Sequence, residues 1–205
     1  GHEYALKMLR FVGDPAKDIP ECLKEKVVAQ PQPQEKPQPT AKVEPEPLFV
    51  AVTPAQQRAL EIVNRFAAEY GISPRLALAV IRAESNFDPL ARSEKNAQGL
   101  MQLIPETSLR FNVGKPYDPV QNVRGGLAYL RWLLAYFQGN VALVAAAYDA
   151  GEGMVNRYRV IPPFPDTRAY VKRIMELFGR NEHPYDASVT GPSPELHRIR
   201  AARSF

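Results

Sequence analysis

Three helical patterns between residues 53 and 137 open on the same start signal, a small polar residue followed by proline: Thr53-Pro54, Ser73-Pro74 and Asp118-Pro119. Such a pair suits the N-cap and first position of a helix. The side-chain oxygen can accept from an unpaired backbone N–H, and proline has no N–H to leave unpaired. Behind each pair, apolar residues recur at helical spacing. Leu60, Val63, Phe66, Ala67 and Tyr70 run to a stop at Gly71. Leu76 to Ala83 is apolar almost all round, interrupted by Arg82, and such a helix has to be largely buried. Val123, Leu127, Leu130, Leu133, Leu134 and Phe137 form one stripe that ends at Gly139. Asn140 is expected to cap an alanine-rich helix through Ala150, and Asp166-Thr167 to begin a last helix carrying Tyr170, Val171, Ile174 and Phe178, with the Asp166 carboxylate as its cap. A shorter helical pair is expected over residues 99–112, broken at Ile104-Pro105. No run of alternating β-branched residues is long enough for a central sheet, and no internal repeat appears. The chain reads as mostly α.

Its 205 residues suit one domain with extensions, and a hydrophobic fraction of 45% is enough for a core. The twenty prolines are unevenly placed. Residues 29–47 (AQPQPQEKPQPTAKVEPEP) are rich in proline, glutamine and charge, with nothing apolar to bury. They read as an extended, polyproline-like spacer or tether. The residues before them hold a short amphipathic stretch (Tyr4, Leu6, Met8, Leu9, Phe11, Val12) too small for a core of its own. The expected division is therefore an N-terminal extension and proline-rich spacer over 1–47, a helical domain over 48–180, and a tail over 181–205 left open between docking and fraying.

A net charge of +4 with interspersed acids does not resemble a concentrated phosphate-binding face, so no nucleic-acid partner is expected. Cys22 is the single cysteine, which excludes an internal disulfide and a cysteine metal cluster. No run is apolar and long enough to cross a membrane, and no signal peptide opens the chain, although Gly1-His2 reads as a cloning remnant.

Glu84 is the residue that composition does not explain. It shares a helical face with Leu76 and Val80 in the most apolar helix and lies near that helix's C-terminus. Burial and the helix dipole both disfavour a second negative charge there, so the carboxyl is expected to hold its proton above the usual range. A carboxyl poised to donate is what glycosidic cleavage requires. Taken alone, such a glutamate is more often an ordinary exposed helix-end residue.

Its surroundings decide otherwise. The segments AVIRAESNFDPLA, Ser93, AQGLMQLIP, AAAYDAGEG and IPPFPDTRAYV, in this order and spacing, together resemble the catalytic domain of the soluble lytic murein transglycosylases (SLT). The resemblance covers roughly residues 54–179. It implies a lysozyme-like helical domain with a substrate cleft, no cofactor and no metal. It makes Glu84 the catalytic acid/base and Ser85 its customary neighbour, and matches Ser93 to a serine facing the sugar. Gly99, Met101 and Gln102 match the cleft wall: glycine for close backbone approach, methionine for an adaptable apolar surface, glutamine to bond an acetamido sugar. Tyr148 matches the tyrosine whose hydroxyl lies against the catalytic glutamate, and Tyr170 another cleft tyrosine. Asp149 departs from the family's asparagine. An aspartate accepts but cannot donate, and its charge would raise the Glu84 pKa further. Glu94-Lys95-Asn96 departs from the customary proline and glycine, with Asn96 able to take the left-handed turn.

The implied reaction cleaves the β-1,4 bond between N-acetylmuramic acid and N-acetylglucosamine in peptidoglycan strands without water, leaving 1,6-anhydro ends, with one carboxyl serving as acid and then base. The competing readings are a lysozyme-type hydrolase using water activated by Asp149 or another acid, and a non-catalytic wall-binding or secretion-assembly protein. A periplasmic or otherwise exported location follows from that substrate, and the N-terminal extension could engage an envelope or secretion partner.

Overall fold

The start signals are obeyed closely in the computed structural model, which describes residues 53–201. The spacer, the amphipathic stretch before it and Cys22 lie outside the described residues. Helix α1 (Pro54–Phe66) opens on a capping box: Gln56 N–H donates to Thr53 Oγ1 at 3.2 Å, and Thr53 N–H donates to Gln56 Oε1 at 3.1 Å. A 3-10 turn (Ala67–Tyr70) follows and stops at Gly71, whose φ of 63° is left-handed. Helix α2 (Pro74–Ser85) ends on Asn86 at φ 47°. Helix α4 (Pro119–Tyr136) is capped by the Asp118 carboxylate, and α5 (Val141–Ala150) by Asn140. Between α2 and α4 lies α3 (Pro105–Arg110).

Two expectations need correction. Residues 99–112 hold one helix, not a pair. Gly99 (φ 77°) and Gln102 (φ 49°) are both left-handed, which turns the chain before Pro105 can start α3. The last long helix, α7 (Pro165–Phe178), begins two residues earlier than expected, with proline at its first position and Phe164 as N-cap. Asp166 is therefore not the cap. It lies in the first helical turn, where its charge meets the positive end of the helix. Two helices went unread, α6 (Glu152–Tyr158) and α8 (Leu196–Ala201), each too short to show a full apolar period.

Helix α2 is the buried centre, with Leu76, Ala77, Leu78, Val80 and Ile81 all at 2% exposure or less. It packs between α1 and α7, while α5 packs on α4, α6 and α7. The buried run Ala145–Ala147 leaves little bulk between α5 and its neighbours. Leu127, Leu130 and Leu134 of α4 complete the core with Ile174 and Phe178 of α7. Among the described residues there is no strand beyond isolated bridges, and no helix is long and apolar enough to cross a membrane.

Residues 181–200 pack onto this body. His183 Nε2 accepts from the Ser73 N–H at 2.9 Å, Val141 N–H donates to Asn181 O at 3.0 Å, and Ser193 N–H donates to Tyr136 O at 2.8 Å. Leu196 and Ile199 are buried.

Candidate active site

Glu84 sits in the last turn of α2 and lines a cavity of about 680 Å³ walled by α2, the loop over residues 91–103 and α7. The residue as a whole is half-buried, but its carboxyl is stripped of water, and this lifts its pKa from 4.5 to about 8. The Tyr170 hydroxyl opposes the rise and the Asp149 charge adds to it, both by less than burial. At neutral pH Glu84 is therefore largely protonated and uncharged.

Tyr148 and Tyr170 both lie near the Glu84 carboxyl, and they relate to it differently. The single hydroxyl hydrogen of Tyr148 goes to the Met101 carbonyl at 2.8 Å, so it cannot also point at Glu84; only its oxygen lone pairs remain for the carboxyl. Tyr170 is the hydroxyl that faces Glu84 as a donor. It is buried and has no fully formed hydrogen bond, which leaves a desolvated donor waiting beside the acid. Burial and the neighbouring Glu84 hold both phenols far above their ordinary pKa, so both stay neutral.

Asp149, at the end of α5, accepts a short hydrogen bond of 2.5 Å from Thr167 Oγ. Thr167 is buried on α7 one turn before Tyr170. This bond fixes the anion that raises the Glu84 pKa.

The loop after α2 is drawn into a tight double turn by bridges joining Arg92 to Gln98 and Gln98 to Leu103. Ser93 accepts the Ala97 N–H on its Oγ at 3.0 Å and lines the cavity, and this bond does not use its hydroxyl hydrogen. Asn96 takes φ 60° as the substitution for glycine requires, and its Oδ1 accepts from Arg92 Nε and Gln98 Nε2. Ser85 lines the cavity, but its hydroxyl is shared between the carbonyls of Ile81 (3.1 Å) and Leu100 (2.8 Å), tying the helix end to the loop. Gln102 spends both amide N–H groups on Ala91 O and Gly99 O, so its carbonyl oxygen is the polar atom it can offer.

Gly99 and Met101 do not form the cleft surface. Met101 is fully buried beneath the loop, with its thioether where a side chain at Gly126 of α4 would stand. Gly99 does permit a close backbone approach, but to the Asn122 side chain and the Pro116 carbonyl. Asn122 is the organising residue that sequence reasoning missed. Wholly buried on α4, it accepts from Met101 N–H and donates to Gln98 O and Pro116 O, each at 2.8 Å. The available signal was an amide beside Val123 on the inward stripe of an otherwise apolar helix. Among the described residues, no group of three or more His, Cys, Asp or Glu side chains is placed to hold a metal.

Comparison with known proteins identifies a family. Residues 61–171, over half of the chain, match the family described as Transglycosylase SLT domain. A protein named transglycosylase from Enterobacteria phage PRD1 is 35% identical over 65% of this chain and 49% of its own length. Membrane-bound lytic murein transglycosylase C of Actinobacillus succinogenes is 32% identical over 71% of this chain and 46% of its own. The chain thus spans about half the length of these curated relatives. Among solved structures, an inactive glutamate-to-glutamine mutant of the lytic transglycosylase Slt from Pseudomonas aeruginosa superposes with a TM-score of 0.54 at 33% identity, over 61% of this chain and 24% of that one. The 70 kDa soluble lytic transglycosylase from Escherichia coli gives 0.52 at 28% identity, over 58% and 23%.

Proposed function

The chain belongs to the transglycosylase SLT domain family, and from that premise we propose that it is a peptidoglycan lytic transglycosylase in which Glu84 is the acid and then the base. The observation that carries this reading is a carboxyl held protonated to about pH 8 by burial, at the wall of an open cavity. A general acid must hold its proton at working pH and lose it in the transition state. Glu84 protonates the oxygen joining N-acetylmuramic acid to N-acetylglucosamine, and that bond breaks. The substrate's own N-acetyl group stabilises the oxocarbenium-like centre. The Glu84 carboxylate then removes the proton from the muramic C6 hydroxyl as its oxygen bonds to C1, closing the 1,6-anhydro ring. Proton and charge balance with no external water.

The side chains around Glu84 fit these two states. Tyr170 is poised to donate to the carboxylate form, which exists only after proton transfer, so its unmade hydrogen bond favours the intermediate over the resting acid. Ser93 and the Gln102 carbonyl offer one donor and one acceptor at the sugar. The test is mass spectrometry of digested cell wall. Glycan ends lacking one water are expected; reducing ends would overturn the scheme in favour of a hydrolase. Glu84→Gln removes turnover by about three orders of magnitude or more, in line with general acid–base contributions of about 10²–10⁴-fold; a folded variant that keeps activity would remove Glu84 from this role. The inactive mutant of the Pseudomonas aeruginosa neighbour also carries a glutamate-to-glutamine change.

The location proposed with this substrate is the periplasm or another compartment in contact with the wall. Residues 1–47 are proposed as a tether or as the segment that engages an envelope or secretion partner.

A further inference from the structure

Three arginines from three separate elements border the cavity that holds Glu84: Arg82 from the last turn of α2, Arg92 from the 91–103 loop and Arg173 from α7. Elsewhere on the described surface, several arginines are engaged by acids: Arg110 by Glu152 at 2.8 Å, Arg131 by Asp186 at 2.8 Å, and Arg159 by Glu195 at 2.7 Å. Among the described residues, none of the three cavity arginines makes an ion pair. Arg92 is held by its Nε on Asn96 Oδ1, a bond that fixes the side chain and leaves its terminal nitrogens free to act. Apart from Glu84, Glu176 is the one acidic side chain on this wall, and it pairs loosely with Lys172 at 3.8 Å. Glu84 adds no charge while it keeps its proton. The wall therefore carries three guanidinium groups against one carboxylate, around a space open to ligand.

A β-1,4 chain of N-acetylglucosamine is neutral and gives such a cluster no anion to bind. Peptidoglycan differs at every second sugar, where the muramic residue bears a 3-O-lactyl arm. That arm ends in a free carboxylate or in a peptide with carboxylates of its own. If Glu84 protonates the bond on the C1 side of muramic acid, the sugar placed beside the arginines is the one that carries this arm. Guanidinium groups suit the task, because their planar fork matches a carboxylate with two parallel hydrogen bonds. We propose that Arg82, Arg92 and Arg173 form a carboxylate-binding subsite that holds the lactyl arm of the muramic residue, directly or through its peptide. The proposal rests on the reading of Glu84 as the acid of a transglycosylase, and gives that site a preference for anionic strands over neutral ones.

The experiment compares kcat/KM on three soluble strands: peptide-bearing glycan, glycan stripped of peptide by an amidase (which leaves the lactyl carboxylate), and neutral N-acetylglucosamine oligomer. The wild-type protein is expected to favour a carboxylate-bearing strand by roughly tenfold at low salt, and the preference should shrink as ionic strength rises. Arg82→Gln with Arg173→Gln should bring the ratio towards one, chiefly through KM. Arg82→Lys with Arg173→Lys should keep an intermediate ratio, since charge survives and the fork is lost. A wild type without carboxylate preference, or a ratio that the glutamine variants leave intact, overturns the subsite. A preference kept on amidase-treated strands assigns the lactyl carboxylate; one lost there assigns the peptide, and both support the proposal. If the double variant fails to fold by circular dichroism, Arg92→Gln and Arg173→Gln are measured singly. If the wild type cleaves none of the three strands, the transglycosylase reading fails by itself. Calorimetric binding of the same strands to the wild type then decides the subsite separately: affinity that depends on the carboxylate sustains it, and equal affinity ends it.

Discussion

A carboxyl that keeps its proton to about pH 8 when folded, against 4.5 for the ordinary group, makes folding itself pH-dependent at Glu84. Below pH 4.5 both states are protonated and the residue contributes no pH dependence. Between 4.5 and 8 the unfolded chain has released a proton that the folded protein still holds, so stability falls as pH rises, by at most about 1.4 kcal/mol per pH unit. Glutamine has no proton to release. Thermal melts should therefore show Glu84→Gln gaining on the wild type as pH climbs from 5 to 8, and a gap that does not change with pH would remove the buried, protonated carboxyl from the account. Activity runs the same titration in reverse roles: the acid is lost as pH passes about 8. Asp149 raises that pKa through its charge, so Asp149→Asn should move the alkaline limb of the rate profile to lower pH while turnover below it persists. Loss of turnover at every pH would instead give Asp149 a direct part in the reaction, as a hydrolase would require. The burial of Glu84 was legible in the sequence from the apolar helix it ends. Tyr170 and Thr167 were not legible in these roles, because both reach the site through the packing of α7 on α2 and α5.

The loop over residues 91–103 is positioned by one side chain of another element. Asn122 satisfies the buried Met101 N–H and the part-buried carbonyls of Gln98 and Pro116. A buried polar group left without its partner costs about 1–3 kcal/mol. Asn122→Ala strands the buried Met101 N–H outright and removes the partner of two part-buried carbonyls, and should lower stability by about 2–4 kcal/mol in denaturant titration. Asn122→Asp should fare little better, since an ionised carboxylate cannot donate to the two carbonyls. If Asn122→Ala melts like the wild type, the loop is held by other contacts. The sequence named this loop as cleft wall through its Gly-Leu-Met-Gln run, but not which of its atoms face inward. The reason is geometric: left-handed turns at Asn96, Gly99 and Gln102 reverse the chain repeatedly, and helical or strand periodicity says nothing about the direction of a side chain across such turns. Helix starts were easier, because Thr53, Asp118 and Asn140 cap the residues that immediately follow them.

At the scale of the whole molecule, the described body does not end with α7. Residues 181–200 return to the start of α2, the helix that carries Glu84, and the join is made by His183. Its Nε2 accepts the Ser73 N–H at the first turn of that helix, and its Nδ1 lies 2.6 Å from the Pro184 carbonyl, an arrangement that suits a neutral ring with the proton on Nδ1. Farther along, Ser193 bridges Tyr136 of α4 to Asn156 of α6, and Leu196 and Ile199 are covered. The sequence could not decide between docking and fraying, because these anchors are single residues spaced along a proline-rich stretch with no period. Burial of two aliphatic side chains contributes about 1.5–3 kcal/mol each, and truncation would also strand the buried Ser73 N–H. Ending the chain after Arg180 should therefore cost several kcal/mol and lower the melting temperature by more than ten degrees, on a scale of about 2–4 °C per kcal/mol for domains of 150–250 residues. Because the loss begins at the first turn of α2, turnover should decline with the fold and should return partly where osmolyte restores stability. A truncated protein that melts with the full chain would mean that the segment only rests on the body, and that α2 and Glu84 are held in place without it.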